Sequence, residues 1–133
     1  MTIDEYLDAV KERLLTDRVV SSLHIIRERI TTMDGHLRAR LTLSDDSQIE
    51  FSEYVQRSLE GDILVITYSY HWADASGNLI QRWDNTPHHP DLPGFPHHVH
   101  IERPDRVSSV RPMSILAVLD EVAQRLTPPA SSA

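Results

Sequence analysis

The sequence predicts an α+β domain: an antiparallel meander of about five strands, with an N-terminal and a C-terminal helix packed on one face. Three observations carry this. Apolar residues recur at helical spacing at both ends of the chain, the period changes to two between them, and short polar turns divide that middle stretch. Helices gathered on one face of an antiparallel sheet bury both an apolar helix stripe and an alternating strand face. The 133 residues suffice for one core without staples. Residues 1–127 are expected to form it, with 128–133 as a frayed tail.

Ile3, Tyr6, Leu7, Val10 and Leu14 give residues 3–15 a helical stripe, and Thr2 with Glu5 makes a capping box. Residues 19–33 read as the first strand, and Asp34-Gly35 as a two-residue hairpin turn. Folding about that turn sets Arg29 opposite Arg40, Ile30 opposite Ala39 and Thr31 opposite Arg38. In the second strand Leu37, Ala39, Leu41 and Leu43 share one face, and His36, Arg38, Arg40 and Thr42 the other. A three-residue turn at 45–47 then sets Leu41 opposite Phe51 and Leu43 opposite Ile49, keeping the apolar face continuous.

Residues 62–72 begin apolar on both faces, as in a central, well-covered strand. Further on, Tyr68, Tyr70 and Trp72 take one side, Ser69 and His71 the other. After "ADASGN" a fifth strand, "LIQRWD", puts Arg82 and Asp84 on one side and Trp83 on the opposite one. Ile115, Leu116, Leu119, Val122, Ala123 and Leu126 stripe the closing helix, with Pro112 suited to its first turn.

The composition excludes several classes. With no cysteine there is no disulfide framework, zinc ribbon or thiol nucleophile, and a reducing cytosol suits the chain. The first residues lack the apolar core of a signal peptide, and no stretch approaches a membrane span, so a cytoplasmic protein is expected. A formal charge of −7 argues against indiscriminate nucleic-acid binding. Charge is unevenly placed, however. Twelve of the thirteen basic residues are arginine, a bias that a G+C-rich genome also produces. Arg27, Arg29, Arg38 and Arg40 share the polar face of the first hairpin and are candidates for contact with phosphate or RNA. Neutralisation by Glu28, Glu50 or Asp17 is the plain alternative.

Residues 86–104, "TPHHPDLPGFPHHVHIERP", hold five of the eight histidines and five of the eight prolines. Proline fixes backbone torsions and removes donors, so neither helix nor regular strand is expected, and the loop is stiff. If 97–101 run extended, His98 and His100 project from the same side while adjacent rings point apart. Three readings of His88, His89, His97, His98 and His100 stand. In the first they hold a divalent metal such as zinc, with Asp84 as a further ligand, although no familiar ligand spacing is present. In the second they do metal-free acid–base work, with Arg82 on a phosphate and Asp84 orienting a ring. Or they satisfy the backbone of the loop. His71, opposite the aromatic stripe, and Tyr70 beside it are further candidates. A non-catalytic module that docks a protein through the histidines, Trp72, Trp83 and Arg82 at its rim is the reading from another class.

Taken in order, "YHW", "RWDN", "PHHP" and "FPHHVH" within residues 68–100 resemble the TumE-type family of prokaryotic toxin–antitoxin proteins. The match falls on Tyr70, His71, Trp72, Arg82, Asp84, Asn85, His88, His89, Phe95, His97, His98 and His100. The resemblance implies the toxin of a type II module, with a helix-turn-helix antitoxin as partner, and names no reaction; action on RNA, directly or at the ribosome, is the expectation drawn from the histidine acid–base reading. A homodimer is compatible with it. No cofactor is implied. The family often carries lysine where this chain has Val99, which would remove a cation beside His98 and His100.

Overall fold

The computed structural model describes residues 1–126; the expected tail at 128–133 lies outside the described residues. Helix α1 spans Ile3–Thr16. Strands β1 (Val20–Ile30), β2 (Asp34–Leu43), β3 (Gln48–Arg57), β4 (Ile63–Ala73), β5 (Leu79–Asp84), β6 (His98–Ile101) and β7 (Val107–Ser109) follow, and α2 (Ile115–Leu126) closes the chain. The strands form one antiparallel sheet in the order of the sequence. The α+β architecture is as expected, with seven strands rather than about five. The two extra ones come from the end of the histidine segment and the residues after it. Pro96 and Pro104 bracket β6 without entering it, so proline did not prevent a strand there.

The capping box forms as the sequence requires: the Glu5 amide donates to Thr2 Oγ1 and the Thr2 amide to Glu5 Oε1, each at 3.1 Å. The helix buries Ile3, Leu7, Val10 and Leu14 against the sheet. Its partner α2 buries Ile115, Val118, Leu119 and Val122, and starts after Ser114, whose hydroxyl accepts from the Ala117 amide. Pro112 therefore precedes the helix rather than entering its first turn.

The first hairpin closes differently from the expectation. Thr31 Oγ1 accepts from the Met33 and Asp34 amides and donates to Asp34 Oδ1, making a polar turn that leaves Asp34 and Gly35 inside β2. Arg29 consequently faces His36 rather than Arg40, and the like-charged pair directly opposed is Arg27–Arg38. Gly35 is required by packing: a Cβ there would lie 2.7 Å from Ile3 Cγ2. In the second hairpin Leu41 faces Ile49 and Ala39 faces Phe51. That is two residues from the expected register, a shift that keeps every side chain on its face.

Strand β4 is less covered at its start than its composition suggested. Its pairing with β5 begins only at Ser69–Asp84, so Leu64 and Ile66 are exposed beside a free edge. Asn85 closes that gap with its side chain, accepting from the Tyr68 amide and donating to the Ile66 carbonyl, both at 2.9 Å.

On the helix side a buried carboxylate joins the layers. Glu53 alternates with Phe51 and Val55 on the core face and is 1% exposed. It accepts from Tyr6 on α1 (2.9 Å), Tyr70 on β4 (2.7 Å) and the Ile115 amide at the start of α2 (2.9 Å). Burial and the adjacent Glu53 hold both phenols far above the ordinary tyrosine range. Among the described residues no helix is long and apolar enough to cross a membrane.

Candidate active site on the open face of the sheet

The face away from the helices carries two lines of polar side chains, set by strand register. One runs His24, Arg40, Glu50, His71, Arg82, His100 from β1 to β6. The next runs Arg27, Arg38, Ser52, Ser69, Asp84, His98. Adjacent strands lie about 4.8 Å apart, so the three spacings from β2 to β5 separate Arg38 from Asp84 by about 14 Å. Between them lies a depression of about 370 Å³, lined by His36, Arg38, Glu50, Ser52, Ser69, His71 and Arg82.

Asp84 is the joint between this depression and the histidines. Its side chain is 3% exposed. Oδ1 lies 2.9 Å from His98 Nε2 and accepts from the Thr86 amide at 3.0 Å. Oδ2 lies 3.1 Å from Arg82 Nε and 3.4 Å from His100 Nε2. The Arg82 contact is ionic but poorly aligned, because Nε is buried without a hydrogen bond. The far nitrogens are fixed too: His98 Nδ1 faces the Pro96 carbonyl at 2.9 Å and His100 Nδ1 the Pro104 carbonyl at 2.8 Å.

The loop returns His89 over these two rings. The three imidazoles stand edge to face, with centroids 4.9 Å apart for His89–His98 and His98–His100 and 6.0 Å for His89–His100. Each offers a ligand-type atom within 4.8 Å of the others. Such an arrangement can pass protons or hold a cation.

Of the residues singled out from sequence, Asp84, Arg82, His89, His98 and His100 come together, and His71 lines the adjoining depression. The others do not join them. His88 is exposed. His97 turns to the helix side, where its Nδ1 lies 2.8 Å from the Tyr68 hydroxyl and its ring stacks on that phenol. Burial, then the neighbouring His98, hold His97 below its ordinary range, and burial pushes Tyr68 up to about 12. Tyr70 faces Glu53 in the core, across the sheet from the cluster. Trp72 and Trp83 are 3% and 1% exposed, so neither can serve as a rim anchor for docking. Val99 also faces the core, so a lysine at that position would leave from the side of β6 opposite His98 and His100.

The hairpin arginines are partly neutralised. Glu50 pairs with Arg40 at 3.0 Å and Arg38 at 3.5 Å, and Asp34 with Arg29 at 3.4 Å. Glu28 and Asp17 are engaged elsewhere, by Lys11 and Arg13. Arg27 forms no ion pair among the described residues. Sequence reasoning put His36 on the polar face with Arg38 and Arg40 and offered Glu50 as a neutralising partner; the assembled sheet adds that both line the depression. Burial first, then Arg27, Arg29 and Arg38, hold the His36 ring below its ordinary range, which records how positive this end of the sheet is.

A family model described as Toxin TumE matches residues 8–126, which takes in all seven strands, α2 and most of α1. The chain belongs to the TumE toxin family. No curated protein and no solved structure matches it. Membership of the TumE family indicates a toxin with an antitoxin partner, and the polar face described above is where this chain concentrates groups able to do chemistry.

Proposed function

We propose that this TumE-family chain is the toxin of a type II toxin–antitoxin module and that it acts on RNA at the open face of the sheet. The observation that carries this reading is the register His71–Arg82–His100 across β4, β5 and β6, which sets one imidazole on each side of an arginine. A phosphodiester held by Arg82, with Arg38 at the far wall of the depression, would have a proton acceptor on one side and a donor on the other. In-line attack by the ribose 2′-hydroxyl needs that layout: the hydroxyl proton passes to one side and the leaving 5′-oxygen is protonated from the other. The phosphate ends as a 2′,3′-cyclic diester. Asp84 orients the cluster side through His98 and His100, and His71 works from the depression.

The net charge of −7 is consistent with this because four of the twelve arginines, Arg27, Arg38, Arg40 and Arg82, stand on the two polar lines. A single strand of RNA laid across β1 to β5 would meet Arg27 and Arg38 before Arg82. The test is cleavage of an oligoribonucleotide by the purified chain, beside the same oligonucleotide with 2′-deoxyribose throughout. Cleavage of the ribose form alone, abolished by His71→Ala, supports the reading. Equal cleavage of both overturns the 2′-hydroxyl route. Loss of antitoxin binding, rather than of cleavage, in His71→Ala would turn this face into a docking surface.

A further inference from the structure

We propose that His89, His98, His100 and Asp84 bind one divalent transition-metal ion of the zinc class. The hydrogen-bond pattern around the rings turns acceptor atoms of His98, His100 and Asp84 toward one another, which favours a positive species there. A carbonyl can only accept, so the Pro96 and Pro104 carbonyls place the hydrogen of His98 and of His100 on Nδ1. The Nε2 lone pair of each neutral ring then points at an Asp84 oxygen, at 2.9 Å and 3.4 Å, where it meets further lone pairs. One proton can bridge one such contact. A metal ion accepts all of these lone pairs at once.

Two further features fit. Backbone carbonyls behind the Nδ1 atoms are the outer-shell arrangement that fixes the tautomer and aim of a ligating histidine. His89 contributes a third nitrogen within 4.8 Å of the other two, and its ring makes no hydrogen bond among the described residues. Zinc–nitrogen bonds of about 2.0–2.1 Å put tetrahedral ligands about 3.4 Å apart, so binding draws the three ring nitrogens inward from within 4.8 Å of one another and opens the 2.9 Å contact between His98 Nε2 and Asp84 Oδ1 by about half an ångström. His89 sits on the 85–97 loop, outside the strand that carries His98 and His100. Three imidazoles and a carboxylate without thiolate suit zinc, and also cobalt, nickel or manganese.

The ion's part in toxicity rests on the RNA reading; its binding does not. Within that reading, a water on the ion would take over proton transfer on the cluster side of Arg82, and His71 would stay as the free imidazole.

The test uses the untagged full chain, stripped with a chelator and titrated with zinc chloride by calorimetry, with the thermal midpoint followed in parallel. One zinc per chain and a raised midpoint are expected, with binding at least tenfold weaker in His89→Ala and in His100→Ala. His88→Ala, whose ring is exposed outside the cluster, should bind as the wild type does. Absence of stoichiometric binding of zinc, cobalt, nickel and manganese overturns the proposal, as does unchanged binding in both variants. If His100→Ala does not fold, His89→Ala, altered only in the loop, decides alone. Zinc stoichiometry is read without RNA, so failure of the RNA reading leaves it in place, and growth arrest can persist where zinc does not bind.

Discussion

Asp84 Oδ1 and His98 Nε2 lie 2.9 Å apart with both side chains almost fully buried, 3% and 2% exposed, on paired positions of β5 and β6. This contact fixes the end of the histidine loop to the sheet and faces the cluster toward the depression. His98 Nδ1 is held by the Pro96 carbonyl and Asp84 Oδ1 by the Thr86 amide, so the pair is structural as well as chemical. Removing one member of a buried pair leaves the other without compensation, at a cost of about 3–5 kcal/mol. Asp84→Ala should lose stability on that scale in urea unfolding. Asp84→Asn, which can still accept from Thr86, should lose less. Equal stability of the alanine variant and the wild type would show the contact to be absent in solution.

Glu53 is the matching joint on the helix side. Glu53→Ala strands two phenols and a helix-terminal amide together, and an equilibrium unfolding loss of about 3–5 kcal/mol is expected. Tyr6→Phe and Tyr70→Phe should each cost about 1–2 kcal/mol. Combined with Glu53→Gln, either should cost less than the sum of the two single changes, because the interaction is counted twice.

Gly35→Ala should destabilise by about 1–3 kcal/mol through overpacking, since the new methyl meets Ile3 Cγ2 at 2.7 Å and Leu7 Cδ1 at 3.2 Å. Thermal unfolding of Gly35→Ala/Ile3→Ala checks the cause. The double variant should lose less than the two single losses added together. Strict additivity would mean that the helix does not rest on this glycine.

His36 gives a pH prediction far from the histidine loop. Its folded pKa lies below the ordinary value, mainly through burial and then through the three arginines around it. The unfolded chain therefore takes up this proton first as pH falls. The stability it contributes is complete above about pH 6.5 and is lost as the pH drops from there toward the folded value. His36→Gln should show a flatter fall in thermal midpoint between pH 7 and 5 than the wild type at low salt. A parallel fall in both would remove His36 from the balance.

Both helices, the first five strands and their faces were legible because each rests on a local period: the Thr2–Glu5 cap, the alternation of Leu37 to Leu43, the run Arg82–Trp83–Asp84. Registers were less so. The first hairpin turned on side-chain hydrogen bonds of Thr31 and Asp34, and Asp-Gly carried the wrong signal because Gly35 is selected by the helix above it. Strands β6 and β7 have three or four residues each and acquire their order from β5, so no local pattern announces them. For the site, the same-side projection of His98 and His100 followed from strand geometry alone. That His97 points away from His98, and Tyr70 away from His71, followed from the same alternation; that His89 folds back over His98 and His100, and that His36 lines the depression, depended on the sheet being assembled. Glu53 was readable in principle: it is the charged residue in step with Phe51 and Val55.

The most direct test of the central claim is to map RNA ends in cells after inducing the wild type and His71→Ala at matched soluble expression, with growth followed alongside. Growth arrest with new transcript ends for the wild type, and neither for a normally folded His71→Ala, is the predicted result. Arrest by the wild type without new RNA ends, or the same ends from His71→Ala, would contradict an RNA-cleaving toxin built on His71, Arg82 and the Asp84-bound histidines.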